Sequence, residues 1–481
     1  MFSFSTINEY HNGLQQNKFS CQDAVNFYIN NIEKNIHLNA FVQVYKEEAL
    51  ATAATLDDKR KAGEPLKKLH GVVIAIKDVI CYKDHTVTAA SNILKGFKSL
   101  YTATALQFLI DEDAIIIGNC NCDEFAMGST NENSVYGKVL NALDETKVPG
   151  GSSGGSAVAV QANMCMLSLG SDTGGSVRQP ADFCGIIGLK PGYGTISRYG
   201  LLAYASSFDQ IGIFGKTVVD IALLLEVMSK NDRMDSTMNV ASHFASQNLE
   251  NIGEKKYKIA YFKQALQNEG NDAEIAQNIQ SFTTEIENAG HAVTEIDFDL
   301  LDFVVPAYYV LTTAEASSNL SRYDGVRFGH LSQKPTDNLN EFYLNNRSEG
   351  FGAEVKRRIM LGTFVLSTGY YDAFYSKAQQ IRKMLIDKIT EIFVEYDAVI
   401  MPVSPCTAFN IGDKDKDPIA MYLADIYTVF ANLTGIPAIA IPLFSHGNNM
   451  PYGIQILCNK EQELLLLQVS EALIKLKNKG K

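Results

Sequence analysis

The chain has 481 residues, of which 46% are hydrophobic and 20% charged, as in an ordinary soluble globular protein. No stretch approaches about 18 consecutive apolar residues, and the amino terminus shows no basic region followed by an apolar one, so neither a membrane span nor a secretory leader is expected. The net charge of −12 argues against direct binding of nucleic acid through the protein's overall field, and the eight scattered cysteines predict reduced thiols in a cytoplasmic protein.

The hydrophobic pattern predicts strands and helices that alternate along most of the chain. Helices are predicted at about 20–35, 46–62, 102–111, 156–162, 220–229, 273–289, 304–319, 353–368, 376–394 and 461–476. Strands are predicted at about 72–76, 114–118, 164–169, 257–261, 291–296, 398–401 and 454–457. This order indicates an α/β fold, with one large mixed sheet covered by helices on both faces. We expect a single domain over 1–481, in which helices of 1–62 pack on a catalytic core of 63–481.

Two loops of the chain are rich in glycine and serine. The first, Gly150–Ser156, consists only of these two residue types. One interpretation makes Ser153 the nucleophile of a G-x-S-x-G turn, but polar residues and a proline precede the loop where that turn needs a strand. A second interpretation is a phosphate-binding loop, but Ser156 stands where that loop needs lysine. A third is a flexible connection. The loop's position beside a predicted helix start favours close approach of its backbone to another group.

The second loop, Ser171–Ser176, follows a predicted apolar strand. Successive backbone N–H groups of Thr173, Gly174 and Gly175 can converge there and bind a developing oxyanion, and Ser176 could attack a substrate. An ordinary strand-to-helix turn is the alternative.

Lys77 ends another predicted buried strand, Val72–Ile76. Burial favours the neutral amine, which can accept a proton. The alternative is a lysine that extends to solvent or pairs with Asp78. Histidine offers no competing base, because the eight histidines lie singly along the chain.

Taken together, the lysine and the two loops resemble the amidase signature family in order and in surroundings. The resemblance implies a Ser-Ser-Lys triad, in which Ser176 is the acyl-forming nucleophile, Ser152 relays its proton and Lys77 is the general base. It also implies the family's fold and a site without a metal ion.

Further segments narrow the resemblance to the glutaminase components of the amidotransferases that act on Glu-tRNA(Gln) and Asp-tRNA(Asn). These segments are 124–130, 314–320, 322–325 and 350–358. The resemblance implies that Tyr309, Arg358 and Asp425 bind the charged ends of glutamine, with Tyr308 and Arg357 as the alternatives to their neighbours.

The same resemblance implies an activity and partners. Glutamine is hydrolysed, and the ammonia converts Glu-tRNA(Gln) to Gln-tRNA(Gln), or Asp-tRNA(Asn) to Asn-tRNA(Asn), in an ATP-dependent complex with amidotransferase subunits B and C. ATP, Mg²⁺ and tRNA are expected to bind mainly to the partner subunits, because this sequence has no phosphate-binding loop, kinase-type loop or basic tract. The alternative is a stand-alone amidase of the same family that acts on small amides.

Overall fold

The computed structural model describes residues 4–239, 246–249, 255–413 and 424–479. Eleven strands are found in these residues: β1 Phe41–Val44, β2 Val73–Lys77, β3 Ile115–Cys120, β4 Leu167–Asp172, β5 Ile187–Lys190, β6 Gln210–Gly215, β7 Lys258–Phe262, β8 Ala292–Ile296, β9 Ala398–Pro402, β10 Ala438–Ser445 and β11 Pro451–Leu457. The same residues form these α-helices: α1 Ile7–Gln15, α2 Cys21–Lys34, α3 Lys46–Lys61, α4 Thr104–Asp111, α5 Gly154–Gln161, α6 Arg178–Cys184, α7 Val218–Met228, α8 Lys263–Leu266, α9 Ala273–Asn288, α10 Val304–Asn319, α11 Leu339–Gly350, α12 Ala353–Val365, α13 Lys377–Glu395, α14 Val429–Thr434 and α15 Glu463–Lys479.

All of these strands join one sheet in the order β1-β3-β2-β4-β6-β5-β10-β11-β9-β7-β8. Strand β2 pairs in parallel with β3 and β4, and β7 pairs in parallel with β8 and β9, while the other neighbours are antiparallel. The sheet is therefore mixed, and the predicted α/β fold with a single large sheet is confirmed. No helix within the described ranges combines the length and apolar character needed to cross a membrane.

The sequence predicts most of the longer helices and seven of the eleven strands found in the described residues, but it misses the elements β1, β5, β6, β10, α1, α6, α8, α11 and α14. Helix α2 begins with the expected capping box, in which Ser20 and Asp23 bond each other's backbone N–H groups. Strand β10, which is absent from the predicted strands, contains Pro442, which lacks the N–H that a strand interior uses. The pairing of β10 with β11 shifts register between Pro442 and Phe444, and such an irregularity is where a sheet accommodates proline.

Two packing arrangements bring the candidate site residues together. Because β2 and β4 run in parallel, with Ile76 opposite Leu169, their carboxyl ends bring Lys77 beside the Ser171–Ser176 loop. On the other side, α12 packs closely on α10, since Gly362 lies where a Cβ would be 1.9 Å from the carbonyl oxygen of Thr313.

Candidate active site

Lys77 lies at the centre of a buried group of hydroxyls. Its side chain has no solvent exposure, and its Nζ lies 2.7 Å from Ser152 Oγ, 2.9 Å from Ser153 Oγ and 2.9 Å from Ser171 Oγ. The first loop and the second loop therefore both contact the lysine.

The alternative in which Lys77 extends to solvent or pairs with Asp78 is wrong. Successive side chains of a strand point to opposite faces, and Asp78 accepts hydrogen bonds from Thr88, from Asn119 and from the Ala90 backbone instead. No ion pair joins Lys77 to Asp78 in the part of the chain that the structure describes.

Burial determines the protonation of Lys77. Removal from water lowers its pKa from the ordinary value to about 8, although the negative charges of nearby groups, including Asp123 and Asp172, act in the opposite direction. An amine with this pKa exchanges between its neutral and charged forms near physiological pH, as a general base must.

The three hydroxyls around the amine differ in what they can donate. Ser153 Oγ lies 3.1 Å from the carbonyl oxygen of Ser171 and donates its one proton there, so it can only accept from Lys77. The hydroxyls of Ser152 and Ser171 have no other acceptor among the described residues. A proton can therefore reach a neutral Lys77 through Ser152, which makes the shortest of the three contacts.

Asp172 fixes the shape of the second loop. Its carboxylate accepts the backbone N–H groups of Gly175 (2.9 Å) and Val177 (3.1 Å), and it is bound by Arg178 Nε (3.1 Å) and Nη2 (3.0 Å). Burial alone would raise the pKa of Asp172, but the Arg178 guanidinium outweighs burial and holds this pKa at about 2. The loop is thus built around a permanently charged, fully buried ion pair.

This arrangement decides which N–H groups of the loop are available. The Gly175 N–H already donates to Asp172, so the third of the predicted oxyanion donors is engaged within the protein. The N–H groups of Thr173, Gly174 and Ser176 have no partner among the described residues. Ser176 is 8% exposed, and its carbonyl accepts the Ser153 N–H at 3.3 Å, which ties the two loops together.

Arg358, rather than its neighbour Arg357, lies in the buried site. The Arg358 side chain is 4% exposed, whereas that of Arg357 is 53% exposed. Arg358 donates from Nε to Glu354 (2.8 Å) and from Nη1 to the Tyr204 hydroxyl (2.8 Å). Its Nη2 has no partner within the described residues, so one side of the guanidinium is open to a ligand.

Asp425 and Arg358 both lie beside Tyr309. Its Oδ2 accepts hydrogen bonds from the Ser129 hydroxyl (2.8 Å) and the Tyr309 hydroxyl (3.1 Å), and the Arg358 guanidinium lies 5.5 Å from the centre of the Tyr309 ring. Burial raises the pKa of Asp425 to about 7, against the effect of Ser129 and Arg358. The structure thus brings together all three predicted substrate residues, whereas the Tyr308 hydroxyl makes no hydrogen bond with Asp425 in the described structure and packs against Gly174 of the second loop.

Sequence patterns do not assign a role in the site to three polar residues of this region: Ser129, Ser171 and Glu354. Ser129 and Glu354 belong to segments quoted for their resemblance, but no local pattern connects Ser129 with Asp425, 296 positions away. Ser171 was noted only as the start of a loop. No group of three or more His, Cys, Asp or Glu side chains in the described ranges could hold a metal ion.

Comparisons with known proteins identify the family of the chain. The amidase family model matches residues 23–467. The A subunit of glutamyl-tRNA(Gln) amidotransferase from Chlorobium phaeobacteroides (strain DSM 266 / SMG 266 / 2430) is 45% identical over 469 residues, which cover 97% of this chain and 98% of that protein. The protein of the same name from Koribacter versatilis is 47% identical over 451 residues, or 93% of each.

Solved structures give the same result. The crystal structure of the A subunit of glutamyl-tRNA(Gln) amidotransferase from Thermotoga maritima matches with a TM-score of 0.76 and 35% identity, over 95% of this chain and 94% of that one. A bacterial aryl acylamidase of the amidase signature family matches with a TM-score of 0.84 at 19% identity, which shows the shared fold.

Proposed function

The chain belongs to the amidase family, and on that basis we propose that it is the glutamine-hydrolysing component of a tRNA-dependent amidotransferase. The observation that carries the proposal is the buried Lys77–Ser152 contact beside the loop of Ser176, together with two oppositely charged side chains near Tyr309. These two are called here the Arg358–Asp425 pair, although the ion pair of Arg358 is with Glu354. Near-full-length identity of 45% with proteins named as the A subunit of glutamyl-tRNA(Gln) amidotransferase supports the same conclusion.

In the proposed reaction, Ser176 attacks the side-chain amide carbon of glutamine. As the Oγ–C bond forms, the proton of Ser176 passes to Ser152 while Ser152 gives its own proton to Lys77. The Ser152–Lys77 contact of 2.7 Å supports this relay. No hydrogen bond joins the Ser152 and Ser176 hydroxyls in the described structure, and such bonds often tighten only when substrate is bound.

The tetrahedral oxyanion is bound by the backbone N–H groups of Thr173 and Gly174, and we add the N–H of Ser176 in place of that of Gly175. The C–N bond then breaks, and the proton held by Lys77 returns through Ser152 to the departing ammonia. Water, deprotonated by the same relay, hydrolyses the γ-glutamyl ester and releases glutamate.

The charges of the Arg358–Asp425 pair are complementary to those of an α-amino acid. Arg358 offers the free side of its guanidinium to the α-carboxylate, and Asp425, bonded to Tyr309, accepts the α-ammonium. A neutral amide without these charges would leave both buried groups without a ligand, which argues against the stand-alone amidase.

The released ammonia serves Glu-tRNA(Gln) or Asp-tRNA(Asn) elsewhere in a complex with subunits B and C. ATP, Mg²⁺ and tRNA bind mainly to those partners in a cytoplasmic assembly. The net charge of −12 supports this division, because an acidic chain is poorly suited to grip tRNA.

The test is amide transfer to mischarged tRNA by the complex purified with its partners. Ser176→Ala should abolish the reaction with glutamine and preserve the reaction with ammonium salts. Ser281→Ala, which removes an exposed hydroxyl on α9, is the matched control and should preserve both. Loss of both reactions in Ser176→Ala, or faster turnover of simple amides than of glutamine by the wild type, would contradict the proposal.

A further inference from the structure

The hydroxyl of Tyr308 donates no hydrogen bond within the described residues and has no role in the proposed mechanism. The residue is only 4% exposed, yet its hydroxyl has no hydrogen-bond partner in the described part of the chain. A buried tyrosine hydroxyl usually has such a partner. The hydroxyl oxygen is also not one of the fully enclosed polar atoms that lack a partner, so part of its surface remains accessible.

That hydroxyl lies against the turn that holds the nucleophile. A Cβ placed on Gly174 would be 2.3 Å from the Tyr308 oxygen, so Gly174 is the residue that permits this close approach. Gly174 also has one of the N–H groups without a partner, two positions before Ser176. The tyrosine hydroxyl therefore lies beside the turn that supplies the proposed oxyanion donors.

The adjacent residue points toward the other end of the site. Tyr309 follows Tyr308 on α10, its ring lies edge-on at 5.1 Å between centroids, and its hydroxyl bonds Asp425. Tyr308 therefore contacts the turn of Ser176, while its neighbour Tyr309 contacts the Arg358–Asp425 pair. The carboxamide carbon of glutamine is three carbon–carbon bonds from its α-carbon, or roughly 4 Å. With its charged end at the pair and its carboxamide carbon at Ser176, as the proposed function requires, glutamine would bring its carboxamide to the turn that Tyr308 contacts.

We propose that the Tyr308 hydroxyl donates a hydrogen bond to the side-chain carbonyl oxygen of bound glutamine, and that this bond strengthens as attack by Ser176 converts the oxygen to an oxyanion. This inference rests on the proposed function. It adds a side-chain donor to the backbone donors of Thr173, Gly174 and Ser176. No proton is transferred, and burial raises the pKa of Tyr308 well above its usual value, so the hydroxyl remains a donor.

The competing explanation is that Tyr308 only fills space. Its ring packs edge-on against Phe208 at 5.9 Å and covers Gly174. Phenylalanine would preserve both contacts, so Tyr308→Phe separates a role of the hydroxyl from a role of the ring.

The experiment compares Tyr308→Phe with Tyr309→Phe in the purified complex, with kcat and KM for glutamine and the rate with ammonium salts as readouts. Tyr308→Phe should lower kcat for glutamine at least about tenfold with a nearly unchanged KM, because the lost bond forms fully only in the transition state. Tyr309→Phe, which loses a contact to Asp425, should chiefly raise KM. Ammonia-dependent transfer should match the wild type in both, and Tm should match it in Tyr308→Phe, whose lost hydroxyl has no hydrogen-bond partner among the described residues.

A kcat within about twofold of wild type in Tyr308→Phe would overturn the inference and assign the residue to packing. So would a rise in KM alone. Neither result would contradict the proposed function. That proposal would be contradicted instead if the Ser176→Ala complex still used glutamine.

Discussion

The pH dependence of glutamine hydrolysis should report the protonation of Lys77, because only the neutral amine can accept the proton relayed from the nucleophile. Burial lowers the pKa of Lys77 to about 8. At pH 7 about one molecule in eleven then has a neutral lysine, and at pH 9 about ten in eleven do. Because this pKa belongs to the ligand-free enzyme, kcat/KM for glutamine should rise at least roughly tenfold from pH 7 to a plateau above about pH 9.

The assay is glutamate release by the assembled complex between about pH 6 and pH 10, with Ser176→Ala as the blank. Transfer from ammonium salts over the same range, corrected for free ammonia, controls for titration of the partners. Lys77→Arg should lose the activity throughout, because a guanidinium stays protonated. A flat profile, or a rise centred near pH 6.5 as for an ordinary histidine, would refute the assignment of Lys77 as the base.

Three further predictions concern charged groups. Arg358→Ala should raise KM for glutamine about 10- to 100-fold, because a charge-assisted hydrogen bond contributes about that much to binding. Substitution of the exposed neighbour, Arg357→Ala, should change KM less than about twofold, and comparable effects of the two substitutions would contradict the choice of Arg358. Because burial raises the pKa of Asp425 to about 7, KM for glutamine should rise as the pH falls below 7 and the carboxylate is protonated, and Asp425→Asn should have a high KM without that dependence. Asp182 is buried, its Oδ1 has no hydrogen-bond partner among the described residues, and burial raises its pKa to about 8. Ionisation of Asp182 therefore opposes folding and lowers the free energy of unfolding by about 1.4 kcal/mol per pH unit from about pH 4 to pH 8. Asp182→Asn should flatten the decline of unfolding free energy over that interval, measured by urea titration, and an unchanged slope would contradict the burial argument.

The catalytic candidates at the carboxyl ends of β2 and β4 could be identified from sequence because each lies in a short, recognisable segment. An apolar strand that ends in Lys77 and a strand that leads into Ser171–Ser176 are each recognisable alone, and parallel pairing of β2 with β4 brings their ends together. The residues alone offered the parts for acyl transfer through serine, and the roles of Ser176, Ser152 and Lys77 came from the resemblance to the amidase signature family.

The substrate end of the site was accessible only through resemblance. Tyr309, Arg358 and Asp425 come from α10, α12 and a segment before α14, and no local spacing relates them. Their partners Ser129 and Glu354 were missed for the same reason. The choice of Arg358 over Arg357 needed burial, which depends on how α12 packs on α10 and not on the two residues themselves.

Backbone detail was also beyond the sequence. Three consecutive residues of the second loop looked equivalent as oxyanion donors, but Asp172 takes the N–H of Gly175 and leaves those of Thr173 and Gly174. Pattern reasoning cannot assign individual N–H groups in a loop, because the assignment depends on a buried carboxylate held by Arg178.

The most direct test of the account is to map the covalent intermediate. The complex is incubated with an electrophilic glutamine analogue that alkylates amidase nucleophiles, digested, and sequenced by mass spectrometry. The account predicts a single modification on Ser176 that is lost in Ser176→Ala and greatly slowed in Lys77→Ala. A modification on Ser152, on Ser153 or on a cysteine, or one that persists at full rate without Lys77, would contradict it.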